Sequence, residues 1–370
     1  MTTLIENLRG TRTTSFRFDV LDHAENYLYG LRDVQVGGSI RFDASASVRA
    51  GGQITVSDLQ DPDVDWLNVR IRPWIIVNGI ETPLGVYLCS VPTEQWEDEG
   101  RVWAVDMFEK TTILDQDIPE DPETGDPWHY SALVDTNLME HVVTIINETG
   151  EPTPAIIDEL GGTVPNYMYW DIGTTRLKII NDLLVAGGFL PLWCDGQGQF
   201  RVTPYVSPVD RPPVYDVMEP LGDGINSVTA PDWKRTLDWY AIPNRWVAYA
   251  PGDEQVPPGT PGNGRVGVAT NENPLDPLSF VNRGRWVTVT ETDVDAVNLD
   301  LYAQQKLDRA RAVYGTFDIT HAFLPELTLN STIRFVNAEA NLDVLCVVLE
   351  TEIPLDPLAL CRTTLMEVPL

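Results

Sequence analysis

GGSIRFDASASVRAGGQITVSD, residues 37–58, carries the clearest pattern in the chain. Ile40, Phe42, Ala44, Ala46 and Val48 alternate with polar residues, and Ile54 and Val56 resume the alternation after Ala50-Gly51-Gly52. Period-two alternation marks a half-buried hairpin. A two-residue Gly51-Gly52 turn would pair Val48 with Thr55 and put Val48 and Ile54 on opposite faces. A three-residue loop, Ala50 to Gly52, pairs Val48 with Ile54 and Ala46 with Val56 and leaves one face apolar. A one-residue slip moves every side chain to the wrong face. The pattern therefore predicts the three-residue loop, with Gly52 in the left-handed conformation.

Outward from this hairpin, residues 14–115 read as nearly continuous strands broken by Gly, Asn and Asp turns, the spacing of a β-barrel or sandwich. The acidic, proline-bearing DQDIPEDPETGDPW, residues 115–128, marks a boundary. Beyond it the period changes. Leu138, Val142, Ile145 and Ile146 have helical spacing within 134–148. Leu177, Ile180, Leu183 and Leu184 form a stripe within 174–188, with Thr174 or Thr175 to cap it and Gly187-Gly188 to end it. A hairpin turning at Asp195-Gly196 follows. Strands resume after the proline-rich SPVDRPP and are interrupted by a Pro- and Gly-rich loop, 251–279. A helix is expected near 292–313, started by Thr292 and packed through residues near Val297, Leu301 and Ala310. The expected organisation is a mainly β chain with an α+β insert: a first tube-like β-barrel domain at 1–115, an α+β domain at 116–210 and a second tube-like β-barrel domain at 211–370. The first and third regions are similar in size and strand content.

At 370 residues with 43% hydrophobic content the chain is long enough for several cores. Its net charge of −30 argues against a protein that grips nucleic acid through phosphates, which needs clustered Lys and Arg. Cys89, Cys194, Cys346 and Cys361 lie far apart in apolar runs and read as small buried hydrophobes. The opening MTTLIENLRGTRTT lacks the apolar centre of a signal peptide, and no run of 18 apolar residues suggests a membrane span.

Signatures of chemistry are sparse in the sequence. His23, His129, His141 and His321 form no zinc spacing. Neither a nucleophile elbow nor a phosphate-binding loop is present. The run DPDVDW, from Asp61, has acids at alternating positions but Trp66 and Arg72 where a calcium loop needs glycine and an acid, and DQDIPEDPETGD, from Asp115, has a proline at its fifth position. No catalytic, cofactor-binding or metal residue is assigned, and no cofactor is expected.

Taken in order, GGSIRFDASASVRAGGQITVSD, WLNVRIRPWIIVNGIETPLGVYLCSVP, VWAVDMFEKTTIL, LKIINDLLVAGGFLPLWCDGQGQFRVTPY, NRWVAYA, NENPLDPLSFVNRGR and AQQKLDRARA resemble the phage tail hub family, the baseplate or tail-tip hub and minor tail proteins at the distal end of the tail tube in long-tailed actinobacteriophages. The resemblance spans nearly the whole chain and lies in the order of hydrophobic and turn segments rather than in a catalytic signature. It implies a structural, non-enzymatic homotrimer in which two tube-like barrels per subunit make a pseudo-sixfold ring, joining a sixfold tube to a threefold tip with a channel for DNA exit. The implied partners are a distal tail protein or tail tube ring, the tape-measure protein and downstream tail-tip or receptor-binding proteins, with DNA only in transit. The implied location is the virion tail tip, after synthesis in the host bacterial cytoplasm. The chain ends at Leu370 with no further lytic or needle-like segment expected. An acidic lumen would keep exiting DNA from sticking. The alternatives are a cell-wall-degrading protein, which needs a carboxylate pair in a cleft, and a carbohydrate-binding tail-tip module, which needs several exposed aromatic rings on one outer face. In a trimer at −30 per chain, Arg41, Arg49, Arg70, Arg72, Arg101, Arg245, Arg285 and Arg334, all in or beside strands, are expected to supply pairs across subunit boundaries. Moderate salt is expected to tighten assembly.

Overall fold

The computed structural model describes residues 12–57, 64–97, 100–151, 155–158, 161–165, 167–218, 228–237, 239–250, 264–292, 299–311 and 315–368. Alternating sequence becomes strand throughout the opening region: β1 (Thr14–Leu21), β2 (Tyr27–Gly30), β3 (Val34–Asp43), β4 (Ala50–Ser57), β5 (Arg70–Val77), β6 (Ile80–Pro83), β7 (Tyr87–Glu97) and β8 (Gly100–Glu109). They run β3-β4-β8-β7-β5-β1-β2, with β6 paired to β5. Their inward positions, among them Val20, Ile40, Ile54, Ile71, Tyr87 and Val105, are fully buried in one core.

The hairpin exists, but its turn lies elsewhere than the sequence predicts. Phe42 pairs with Ala50, Ile40 with Gly52 and Val34 with Val56, so Ala50-Gly51-Gly52 belongs to β4 and residues 44–49 make the connection. The Asp43 carboxylate accepts from both the backbone N–H and the hydroxyl of Ser45 and starts that connection. Val48 leaves the ladder and packs against the α+β core. Gly52 is not left-handed; its role is close approach. A Cβ on Gly52 would stand 2.5 Å from the Ser39 carbonyl oxygen, and one on Gly38 would stand 2.1 Å from that of Gln53. These contacts lie beside an irregularity in the ladder between Gln35 and Ser39. Gly52→Val is therefore expected to destabilise through overpacking, by about 1–3 kcal/mol. Gly51→Ala, whose Cβ would sit 3.1 Å from the Met107 oxygen, should cost less. Urea midpoints of the two variants test the order.

The insert contains α1 (Thr111–Asp115), β9 (Tyr130–Ala132), α2 (Leu138–Glu148), β10 (Ile156–Ile157), β11 (Met168–Trp170), α3 (Arg176–Ala186), β12 (Trp193–Cys194) and β13 (Phe200–Val202). Local chemistry sets the helix limits. The Asn137 side chain accepts from the N–H groups of Met139 and Glu140, and Thr175 accepts from Lys178 N–H. Gly187 closes α3, and Gly188 follows at φ 83°. The predicted stripes, Leu138, Val142, Ile145 and Ile146 with Leu177, Ile180, Leu183 and Leu184, are all buried in one cluster.

The last region holds β14 (Tyr215–Met218), β15 (Thr229–Thr236), β16 (Arg245–Ala250), β17 (Arg265–Thr270), α4 (Phe280–Arg283), β18 (Thr288–Glu291), α5 (Leu299–Arg311), β19 (Thr316–His321), β20 (Thr332–Asn337), β21 (Leu342–Pro354) and β22 (Cys361–Glu367). Two compact units result: residues 1–233 with 318–365, and residues 234–317 with 366–370. The division falls inside β15, β19 and β22. In the second unit β16 is flanked by β17 and β18, and α5 buries Leu299, Ala303 and Leu307. That stripe replaces the expected one: Leu301 is 55% exposed, and Val297 lies outside the described residues. A Cβ on Gly267 would meet the Leu299 backbone at 2.2 Å, so only glycine lets the helix lie this close to β17. Part of the stretch expected as loop, 265–270, is β17, and residues 251–263 lie outside the described residues. Thr292 precedes α5 but is not helical, and residues 293–298 are likewise not described.

The fold is mainly β with an α+β insert, as the sequence indicates. Fourteen of its strands join into one sheet, ordered β15-β19-β22-β21-β3-β4-β8-β7-β5-β1-β2, with β20 beside β21, β14 beside β20 and β6 beside β5. Among the described residues no pairing closes either region into a separate cylinder. Within this sheet a repeat is visible. Six strands of the opening region run β1-β5-β7-β8-β4-β3, and six of the last region run β14-β20-β21-β22-β19-β15. Ranked by chain position, both are 1-4-5-6-3-2. They differ at the first pairing: β1 meets β5 antiparallel, whereas β14 meets β20 parallel.

Candidate functional site

The four histidines do not converge. His321 is buried, its Nδ1 2.8 Å from the Ala322 oxygen and its Nε2 2.7 Å from the Thr363 hydroxyl. Burial pushes its imidazole down to about 4. His141 sits between the Tyr130 hydroxyl, at 2.7 Å, and the Thr136 hydroxyl, at 2.9 Å, and burial lowers its pKa too. His129 packs at a tilt against Trp128 and Tyr169, and His23 is exposed. Of the acidic runs, Asp61 and Asp63 lie outside the described residues. Asp117 pairs with Arg176 at 2.7 Å, and Asp121 accepts from the N–H groups of Glu123 and Thr124. Among the described residues no group of three or more His, Cys, Asp or Glu is placed to hold a metal ion.

The first unit contains a cavity of about 540 Å³, lined in part by Arg49, Glu109, Trp193, Asp195, Arg211 and Ile353. A carboxylate pair in such a cleft is what a glycosidase would need. Burial raises the pKa of Glu109, as in many catalytic acids. Its Oε1, however, accepts from Arg49 N–H at 2.6 Å and from the Thr111 hydroxyl at 2.7 Å. Asp195 accepts from the N–H groups of Gln197 and Gln199 and shapes the β12–β13 turn. Both carboxylates are occupied in holding backbone.

The densest charge cluster lies where the insert meets the opening strands. Arg70 makes a two-point contact with Glu151, at 2.7 and 3.1 Å, and reaches Glu25 at 3.3 Å. Arg72 approaches Glu25 at 3.5 Å, and Lys110 bonds to Glu25 and stands 3.3 Å from Glu151. The Lys110 side chain is wholly buried and its ammonium lies 5.1 Å from the centre of the Phe200 ring. Three cations thus share two carboxylates. Glu25 is held at φ 64°, an unusual conformation for a residue with a side chain, in the turn that aims its carboxylate at all three. The glycine turn after β12 fits the same junction: a Cβ on Gly196 would meet the Pro83 oxygen at 2.4 Å, and Gly85 N–H donates to the Gly196 oxygen.

The arginines expected at subunit boundaries have partners within the chain. Arg70 and Arg72 are spent inside the chain. Arg41 pairs with Glu350 at 2.8 Å, Arg101 with Glu94 at 3.5 Å and Arg334 with Asp343 at 2.6 Å. Arg245 lies over Trp286 and Arg285 over Tyr240, while Arg49 is buried beside Glu109. Pairing within one fold, across hairpins and between distant segments, engages charges that sequence alone assigns to subunit contacts.

Two kinds of surface remain open to partners. One is aromatic. Trp128 and Tyr169 are half-exposed and flank His129, with ring centres 4.7 and 5.3 Å from it, and Tyr167 is 60% exposed nearby in sequence. The other is strand edge. β15 ends the strand path, and β7 pairs with β5 only at Tyr87 and Leu88. Among the described residues no helix is long and apolar enough to cross a membrane.

No family model and no curated protein matches the sequence. Solved structures do. The tail protein from Neisseria meningitidis MC58 superposes with a TM-score of 0.63 at 12% identity, over 96% of this chain and 97% of that one. The 43 kDa tail protein of prophage MuSo2 from Shewanella oneidensis gives 0.64 at 11% identity, over 96% and 98%. The prophage tail protein gp18 from Listeria monocytogenes EGD-e gives 0.50 at 12% identity, over 95% and 94%. Over nearly its full length the chain has the fold of these tail proteins, the fold that its resemblance to tail hubs implies.

Proposed function

We propose that the protein is a structural hub at the distal end of a phage tail tube, built as a homotrimeric ring. The observation that carries this reading is the repeated strand order 1-4-5-6-3-2. Two copies of one strand arrangement in each chain give six similar units from three chains, the count needed to join a sixfold tube to a threefold tip. The fold shared with tail proteins over 96% of the chain supports the same assignment. The division at 1–115, 116–210 and 211–370, the channel for DNA exit, and contacts with a tube or distal tail ring, a tape-measure protein and downstream tip proteins belong to this proposal. So do the location at the virion tail tip and synthesis in the host cytoplasm. The role is scaffolding rather than catalysis, since the cavity carboxylates Glu109 and Asp195 already serve the backbone.

Mass measurement of the purified chain is expected to give a trimer. Three chains at −30 each carry about −90. With Arg41, Arg70, Arg72, Arg101 and Arg334 paired inside the chain, repulsion should dominate between chains, and the trimer should tighten from low to physiological salt. A chain that stays monomeric at all concentrations overturns the ring.

A second reading rests on the row Trp128–His129–Tyr169. Exposed aromatic rings on one face suit the apolar face of a sugar, as a carbohydrate-binding tip module requires. Binding to host cell-wall glycan that disappears in Trp128→Ala, with trimer mass unchanged, would support it; glycan binding that persists in that variant would remove it.

A further inference from the structure

The two strand repeats meet inside one chain along a short seam. The distal half of β21, the fifth strand of its repeat, pairs antiparallel with β3, the second strand of the other, from Glu350 opposite Asp43 to Pro354 opposite Ser39. The Arg41–Glu350 pair crosses this seam, with the base on the second strand and the acid on the fifth. Each repeat has a second and a fifth strand, and the internal seam uses one of each. The remaining two are β7, fifth in the first repeat, and β15, second in the last. Both have open edges among the described residues. Residues 93–97 of β7 pair with β8 on one side only, and β15 has β19 as its one neighbour along the strand path. An open strand edge is a template for pairing.

We propose that residues 93–97 of β7 pair antiparallel with β15 of a second copy of this chain, repeating between chains the joint that β21 and β3 make within one. The inference rests on the ring reading and names its contact. Three features agree with it. Thr93, Glu94, Gln95 and Trp96 are exposed, the Trp96 ring at 78%, so a partner strand has apolar surface to cover. The signs match the internal seam: β15 carries Lys234 and Arg235, and β7 carries Glu94, with Arg235 also paired to Glu367 and Glu94 to Arg101 inside the chain. Prolines bound both seams, Pro354 inside the chain and Pro92 and Pro231 on the open edges. Proline cannot donate to a ladder, so each seam is short and slipped registers lose bonds. The contact is head-to-tail, since the two edges differ, and such a contact makes rings when its rotation closes.

Cysteine pairs in the full chain test this. One preparation carries Thr93→Cys or Gln95→Cys, the other Asp232→Cys or Lys234→Cys. The two are mixed, assembled and treated with a short bis-maleimide. The unaltered chain is the control for its own cysteines, of which Cys89, nearest in sequence, has its thiol pushed up to about 12 by burial. The expected result is a covalent dimer in at least one mixture and none when either preparation is treated alone. Trimer mass with no cross-link in any of the four mixtures would overturn the seam and leave the ring standing. Monomer mass with no cross-link would overturn both. Trp96→Ser, on the exposed face, should weaken assembly at least tenfold without moving the thermal midpoint of the dilute chain; unchanged assembly counts against the seam.

Discussion

Glu151→Ala should be among the most damaging single substitutions in the first unit, at about 3–5 kcal/mol. The Glu151 side chain is 1% exposed and faces Arg70 and Lys110. Its removal leaves Arg70, Arg72 and Lys110 with Glu25 as their one carboxylate, so cations stay buried without compensation. Lys110→Met acts in the opposite direction. It leaves two arginines with two carboxylates, an even balance, and its long apolar side chain can rest on Phe200. It should cost clearly less than Glu151→Ala. Guanidinium unfolding followed by tryptophan fluorescence gives the order. Equal losses, or a Glu151→Ala variant within about 1 kcal/mol of the parent, would mean that the cluster is solvated in a way its burial does not suggest.

Acid should weaken the first unit well before ordinary carboxylates titrate. His321 is neutral in the folded chain. Burial lowers its pKa to about 4 first, the bond to the Ala322 oxygen works against that lowering, and the charge of Arg12 adds to it. The ordinary histidine value is about 6.5. Above that pH neither folded nor unfolded chain binds the proton, and His321 contributes no pH dependence. Between about 6.5 and 4 the unfolded chain takes it up and the folded chain does not, so stability falls, by a total of about 3 kcal/mol. Below about 4 the loss levels off. His141 is shifted in the same direction and adds a smaller slope. Glu109 is shifted upward and opposes it, since the folded chain then accepts a proton more readily than the unfolded one. His321→Leu should lower stability at pH 7 yet flatten the fall between pH 6.5 and 4.5, read as urea midpoints. An unchanged slope would assign the acid sensitivity to other groups.

What the sequence makes legible follows the range of the interactions. The helices α2 and α3 are readable because their determinants are local: a stripe at 3.6-residue spacing, Asn137 or Thr175 at the start, Gly187 at the end. The hairpin is readable as a hairpin but not in its turn. Two adjacent glycines are an attractive turn signal, and nothing nearby reveals that Gly52 is needed where Ser39 comes within touching distance. The Asp43–Ser45 bond is the cue that points to the true connection. β17 is hidden by the prolines and glycines before it. The charge cluster is illegible because Glu25, Arg70, Lys110 and Glu151 are scattered over more than a hundred residues, and only the fold brings them together. The similarity of the opening and closing regions shows in sequence as a likeness of size and strand content. The shared strand order needs the pairings.

The joint between β3 and β21 also sets a timetable. Arg41 and Glu350 are separated by 309 residues, so this part of the sheet cannot form until residues 350–354 have left the ribosome. Contacts of such long sequence separation fold slowly. Throughout synthesis β3 waits with one edge uncovered, a hazard for aggregation and also a safeguard. A nascent chain without β21 has no internal joint between β3 and β21. In the ring proposed above, assembly would thereby be withheld from chains that stop before β21. Chains truncated before Leu342 should accordingly be recovered as aggregates or monomers, never as closed rings.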